Sequence, residues 1–152
     1  MGYSCIKQKD GSDCGAAVLA TVALHYDMKI GLQRMRDLAG TDKVGTTLKG
    51  IVTGAEKIGF SARAVKGPYE ALSEIPLPAV MHWKMEEGYG HFVVLHKITK
   101  DKLTIADPAR GLREMTPEEF QKLWTGYVVL LVPDENFDPE KEKHTAQKPL
   151  GR

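Results

Sequence analysis

The chain has 152 residues, of which 42% are hydrophobic, and a formal net charge of +1. That length and apolar content suffice for one domain with a real core, and the near-neutral charge, with no basic block interleaved with aromatics, excludes nucleic acid and other polyanionic partners. No apolar run reaches the ~20 residues that span a bilayer, so direct membrane insertion is not expected. The two cysteines, with no CxxC pair and no secretory signal, predict a reduced intracellular protein rather than a disulfide scaffold.

From Cys14 to Tyr26 the sequence is apolar almost all round, which predicts a helix in the middle of the domain, with Asp13 as its N-cap. Gly31 to Ala39, with Leu32, Met35 and Leu38 at helical spacing, predicts a second helix. Thr46 to Ile58 predicts a third, with a stripe of Leu48, Ile51, Val52 and Ala55 closed by Gly59. The character then changes. Short strands are expected at Ser61 to Val65, Ala79 to Lys84 after Pro76-Leu77-Pro78, His91 to Ile98 after the turn-like Glu86 to Gly90, Leu103 to Ala106, and Tyr127 to Val132. Thr116-Pro117-Glu118-Glu119 reads as an N-cap, a proline at the first helical position and a capping-box Glu, opening a short helix through Trp124. The fold class is therefore α+β, with helices first and an antiparallel sheet second. The domain is expected to fill residues 1–132. Residues 133–152, polar, charged and without period, are expected to be a linker or a disordered tail.

Cys14 stands in Gln8-Lys9-Asp10-Gly11-Ser12-Asp13-Cys14-Gly15, at the first turn of the central helix. A helix N-terminus offers unpaired N–H groups and the positive end of the macrodipole, both of which favour the reactive thiolate. Cys5 has no polar company and is given no chemical role. Among the histidines, His144 falls in the tail, His25 inside the buried helix, and His82 and His96 within strands. His91 follows Gly88-Tyr89-Gly90 at a strand start and has Asp107 one strand away, the relation by which a carboxylate orients the imidazole that takes a thiol proton. Strand parity constrains the pair. With Lys97 opposite Leu103, His91 and Asp107 are diagonal neighbours on one face, about 7–8 Å apart at Cα; with Ile98 opposite Leu103 they point to opposite faces. A working pair thus requires an odd loop or a bulge. Gln8, just upstream of the thiol, can donate its side-chain amide to an oxyanion together with the Cys14 N–H.

These residues, with Asp13-Cys14-Gly15-Ala16-Ala17, Ala106-Asp107-Pro108 and Glu119 to Gly126, resemble the N-terminal cysteine peptidase domain of bacterial peptidase-containing ABC transporters, from about Ile6 to Val132. Val18, where many members carry a second cysteine, is a small departure. The resemblance implies a papain-like fold and removal of leaders from bacteriocin, lanthipeptide or signalling precursors after a double-glycine motif, at the cytoplasmic side of the bacterial cell membrane. It assigns Cys14 as nucleophile, His91 as general base and then acid, Asp107 as orienting carboxylate and Gln8 as oxyanion donor. The partners it implies are the precursor peptide and the transmembrane and nucleotide-binding domains of a transporter in the same chain. No metal or other cofactor is implied, since His91, His96 and Asp107 lack a fourth ligand and zinc spacing. Trp83 and Tyr89 are expected to wall a channel too narrow for any Cβ. Met28, Met35, Leu48 and Ile51 are read first as core and second as a groove for an amphipathic leader helix. Two readings of other classes stay open: a leader-docking module without chemistry, and an acyl transferase of transglutaminase type.

Overall fold

The computed structural model describes residues 2–43 and 45–146. Three helices come first, α1 (Cys14–His25), α2 (Leu32–Ala39) and α3 (Leu48–Lys57), then strand β1 (Phe60–Lys66) and a 3-10 helix at Tyr69–Glu74. Strands β2 (Ala79–Lys84), β3 (Gly90–Ile98), β4 (Leu103–Asp107) and β5 (Gly111–Met115) follow, then α4 (Pro117–Leu123), β6 (Trp124–Pro133) and the short α5 (Lys143–Ala146). The six strands form one antiparallel sheet in the order β1-β6-β2-β3-β4-β5. This is the expected α+β arrangement.

Helix α1 is the hub. Its first ten residues, Cys14 to Ala23, are all buried, as an all-round apolar sequence requires. It packs between α2, α3 and one face of the sheet, where Val80, Phe92, Val94, Ala106, Val129 and Leu131 meet Ala16, Leu19 and Ala23. The opposite face is covered too. Met81, Trp83, Val93, Leu95 and Ile105 pack there with Leu72 of the 3-10 helix and Phe120 of α4. A sheet covered on both sides explains why Val128-Val129 and Val93-Val94 read as continuous apolar runs. The capping box that opens α4 is complete: Thr116 Oγ1 accepts from Glu119 N–H at 3.1 Å and the Glu119 carboxylate from Thr116 N–H at 2.9 Å.

Two irregularities position the site. At the β3–β4 turn, Ile98 faces Leu103 and Lys97 faces Thr104, the register that would send His91 and Asp107 to opposite faces. One strand-step on, Leu95 faces Ile105 and Val94 faces Ala106, so His96 is the extra residue of a bulge and the parity is restored. Of the two devices the sequence allowed, an odd loop or a bulge, the chain uses the bulge. The second slip lies between Met81 and Trp83 of β2 against β6.

The charged segment after β6 departs from the expectation of a loose end as far as Ala146. Asp134 N–H donates to the Gly59 carbonyl at 2.8 Å, and Phe137 meets Phe60 and Tyr26 with ring centroids 5.0 and 6.3 Å apart. Buried Glu142 accepts from Arg34 Nε at 3.1 Å, and Thr145 Oγ1 from Gly31 N–H at 3.1 Å. One aromatic and one ion pair anchor a segment whose composition alone argues against packing. Residues 147–152 of the expected tail lie outside the described residues.

Candidate active site

The N-terminal segment delivers the loop before Cys14. Ser4 Oγ donates to the Thr21 carbonyl at 3.0 Å and Ile6 N–H to the Thr21 hydroxyl at 2.9 Å, which lays the segment along α1. Gln8 N–H then donates to the Pro108 carbonyl at 2.9 Å, crossing to the sheet beside Asp107. Asp13 occupies the N-cap position but does not cap: its buried carboxylate turns back to accept from Lys9 and Asp10 N–H groups at 2.9 and 3.1 Å, and Arg36 of α2 pairs with its other oxygen. Two backbone donors and a guanidinium outweigh one cap bond for a carboxylate that burial would otherwise penalise. Gly15 lets the Gly45–Thr47 loop lie against α1, because a Cβ there would stand 2.5 Å from Thr46 Cβ.

Cys14, His91 and Asp107 come together. Each is buried. His91 Nε2–H donates to Asp107 Oδ1 at 2.8 Å, which leaves Nδ1 for the hydrogen bond that the imidazole shares with the Cys14 thiol. Asp107 Oδ1 also accepts from Ala109 N–H at 2.9 Å, and Arg113 Nη1 stands 3.4 Å from Oδ2. Burial alone would discourage a charge on His91, but the bonds to Asp107 and Cys14 and the charge of Asp107 more than offset it, and its pKa is pushed up to about 9. For Asp107, burial pushes the other way from the His91 and Ala109 hydrogen bonds and the charges of His91 and Arg113; the latter win, and its carboxyl sits below the usual aspartate value. At neutral pH the imidazole is therefore an imidazolium, held between the Cys14 sulfur and the Asp107 carboxylate.

Gln8 lines a cleft of about 600 Å³ with Tyr89, His91, Asp107 and Arg110. Its Nε2 donates to the Asp10 carbonyl at 3.0 Å, which orients the amide; its Oε1 is buried without a partner. A primary amide carries two N–H groups, so one remains for a substrate oxygen. A second cleft, about 290 Å³, shares Gly11 and Gly90 with the first and is lined by Cys14, Gly45, Thr46, Leu48, His82 and Phe92.

The remaining residues singled out in the sequence lie elsewhere. Cys5 is half-buried behind the site, its Sγ 3.7 Å from the Asp107 carbonyl oxygen, and burial, then the charge of Asp107, push its thiol up against an opposing Lys7. Trp83 does not wall a channel: it is fully buried on the far face, packed edge-on against Phe120, with its ring 6.2 Å from His91. Strand alternation places it there with Met81, two residues away, on the face opposite Val80 and His82. Tyr89 does line a cleft and is 56% exposed. Met28, Met35 and Ile51 are core, while Leu48 reaches the cleft. Sequence reasoning missed Arg113 and the Ala109 N–H. The signal was there in Ala109-Arg110-Gly111, a turn that returns the chain as β5 and sets Asp107 opposite Gly111, whose φ is +98°.

A thiol on a helix tip facing a sheet-borne imidazole that a carboxylate orients defines a papain-like cysteine hydrolase. Residues 2–136 match the model of the peptidase C39 family, and the chain belongs to that family, which makes it a cysteine peptidase. It is 42% identical over 140 residues to the lactococcin-G-processing and transport ATP-binding protein LagD of Lactococcus lactis, covering 91% of this chain and 20% of that protein. It is 36% identical to the transport/processing ATP-binding protein ComA of Streptococcus pneumoniae, covering 90% and 20%. The chain thus spans about a fifth of the length of the curated relatives it matches. Among solved structures, the peptidase domain of Streptococcus ComA superposes with a TM-score of 0.82 at 35% identity, over 88% of this chain and 100% of that one. A double glycine motif protease from an AMS/PCAT transporter, in complex with the leader peptide, gives 0.78 at 29%, over 85% and 90%. Among the described residues no helix is long and apolar enough to cross a membrane, and no group of His, Cys, Asp and Glu could hold a metal ion.

Proposed function

We propose that this domain removes leaders from precursor peptides by cutting after a double glycine, at the cytoplasmic face of a membrane, as the processing part of an ABC transporter whose other domains follow in the same chain. The observation that carries the reading is the Cys14–His91–Asp107 hydrogen-bonded chain. Cys14 Sγ, its proton on His91, attacks the carbonyl carbon of the second glycine. The oxyanion accepts from the Cys14 N–H and the free Gln8 amide hydrogen. As the C–N bond breaks, His91 gives its proton to the leaving amine, and a thioester links the leader to Cys14. His91, now neutral, takes a proton from water, whose oxygen attacks the thioester; the leader leaves as a carboxylic acid and the thiol is restored. Asp107 keeps the ring oriented throughout. Its companion for export is the transporter, which the chain reaches only after the docked segment 134–146.

The relatives named as processing and transport proteins, and the leader-bound double glycine protease, support the substrate class. Mass spectrometry of synthetic precursors tests it: a single cut after the second glycine is expected, with hydrolysed leader as the sole acyl product even in added amines. Transamidated leader would assign a transferase instead. No cut in any double-glycine precursor, with leader still bound, would assign a docking module.

A further inference from the structure

His82 belongs to no part of the Cys14–His91–Asp107 chain, yet it lines a cleft together with Cys14. It sits on the α1 side of the sheet opposite Phe92, with which its ring packs at 5.1 Å, and both line the smaller cleft beside Cys14. The ring is fixed from behind. Because the β2–β6 ladder slips between Met81 and Trp83, the His82 carbonyl is served by a side chain: Thr125 Oγ1 donates to it at 3.1 Å. A hydroxyl has one hydrogen. With that hydrogen spent, the contact of 3.0 Å between Thr125 Oγ1 and His82 Nδ1 requires Nδ1 to carry the proton and donate.

Nε2 is then a bare lone pair. It has no hydrogen-bond partner among the described residues, and it lies over Gly90, where a Cβ would come within 2.9 Å of it. Burial and the neighbouring His91 charge lower the pKa of His82, so the acceptor persists at neutral pH. A strong acceptor aimed into a cleft beside a nucleophile needs a donor from the ligand. The cleft wall is built with Gly11, Gly45 and Gly90, which leaves room for backbone close to the surface. A peptide that is itself free of side chains there offers one kind of donor, its amide N–H.

We infer that His82 is a specificity-determining residue whose Nε2 accepts an amide N–H of the substrate's double glycine, with Thr125 fixing the tautomer that makes this possible. The role rests on the proposed peptidase reading and adds the group that reads glycine backbone. It favours an unencumbered N–H over an N-substituted or bulkier residue, because only a backbone lying flat on the Gly90 wall reaches Nε2.

Glycolate substitution provides the test. Replacing either glycine by glycolic acid exchanges its N–H for an ester oxygen and leaves the rest of the precursor unchanged. On the amide substrate, His82→Ala should lose roughly five- to tenfold in kcat/KM, the worth of one hydrogen bond, and His82→Gln, which restores an acceptor near the Nε2 position, should regain most of it. Wild type should lose a similar factor when the reading glycine becomes glycolate, and His82→Ala should lose nothing further on that ester. Independent, multiplying losses at both glycines would overturn the role. If His82→Ala does not fold, Thr125→Val and His82→Gln run through the same cycle: weakened ester sensitivity in Thr125→Val supports the role, and unchanged sensitivity overturns it. A wild-type protein that cuts no double-glycine precursor at all would instead bring down the peptidase reading, and this role with it.

Discussion

The two clefts, which share Gly11 and Gly90 in their walls, are built on opposite physical principles. The larger, on the His91 side, is a place of added bonds: Gln8 to Pro108 across the chain, Ala109 and Arg113 to Asp107 around its turn, and Lys9 and Asp10 to Asp13 within the adjoining loop. The smaller, on the His82 side, is a place of removed atoms, where Gly45 joins the shared Gly11 and Gly90 and Gly15 admits the tight Thr46 contact. Chemistry needs groups whose protonation and direction are fixed, which takes electrostatic cross-links. The proposed recognition of glycine needs, besides the His82 acceptor, that side chains be kept out.

Breaking the first cleft should be felt in kcat. Cys14→Ala is expected to abolish cleavage while leaving the Kd for a leader peptide unchanged, since the thiol contributes chemistry and little surface; residual cutting by a folded variant would show that another group is the nucleophile. Gln8→Ala should cost on the order of 10²–10³ in kcat, as loss of one oxyanion donor does, with little change in KM. An equal loss in KM alone would move Gln8 from the oxyanion to substrate binding.

The pH profile sharpens the contrast. His91 is pushed up to about 9 from an ordinary 6.5, so its imidazolium contributes stability that is full below pH 6.5 and is lost as pH rises through about 9. The rate should follow, with a basic limb near 9 where the general acid disappears. Asp107→Asn removes a hydrogen-bonding anion that raises the imidazole, so the limb should move to lower pH and the loss of melting temperature between pH 7 and 10 should shrink. A limb that stays put in Asp107→Asn would mean that Asp107 does not set the His91 proton affinity.

How much of this could be read from the chain depends on the range of the interaction. Helix α1, the amphipathic stripes of α2 and α3 and the capping box of α4 are local patterns, and their residues announce them. The three residues that come together at the proposed site were legible for the same reason: a thiol at a helix start, a histidine after a glycine turn, an aspartate before a proline. Asp13 looked like a cap because caps are local, whereas its carboxylate turns back to Lys9 and Asp10 and pairs with Arg36, 23 residues away. Trp83 looked like a channel wall because it neighbours the cleft in sequence, while pleat alternation turns it to the far core. The docking of residues 134–146 hangs on Phe137 and on an Arg34–Glu142 pair separated by 108 residues. Composition is blind to such contacts.

The bulge at His96 underlies the larger cleft, because without its extra residue Asp107 would leave the face of His91. The bulged imidazole is buried and its Nε2–H donates to the Ser4 carbonyl at 2.8 Å, while Nδ1 has no partner. His96→Ala strands that carbonyl and should cost about 1–3 kcal/mol in stability. The register itself is held by Val94, Leu95, Ile105 and Ala106, all buried on one face or the other, so kcat should be unchanged. Burial first, opposed by the Ser4 bond and joined by the His25 charge, lowers the pKa of His96. The wild-type fold therefore loses stability as pH falls below 6.5, because the unfolded chain takes up the proton more readily. The His96→Ala penalty should shrink over that interval. Denaturation at pH 7.5 and 5.5 reads it, and a penalty that grows on acidification would mean that the imidazole is charged in the native state and that the bulge is held by an ion rather than by a neutral donor.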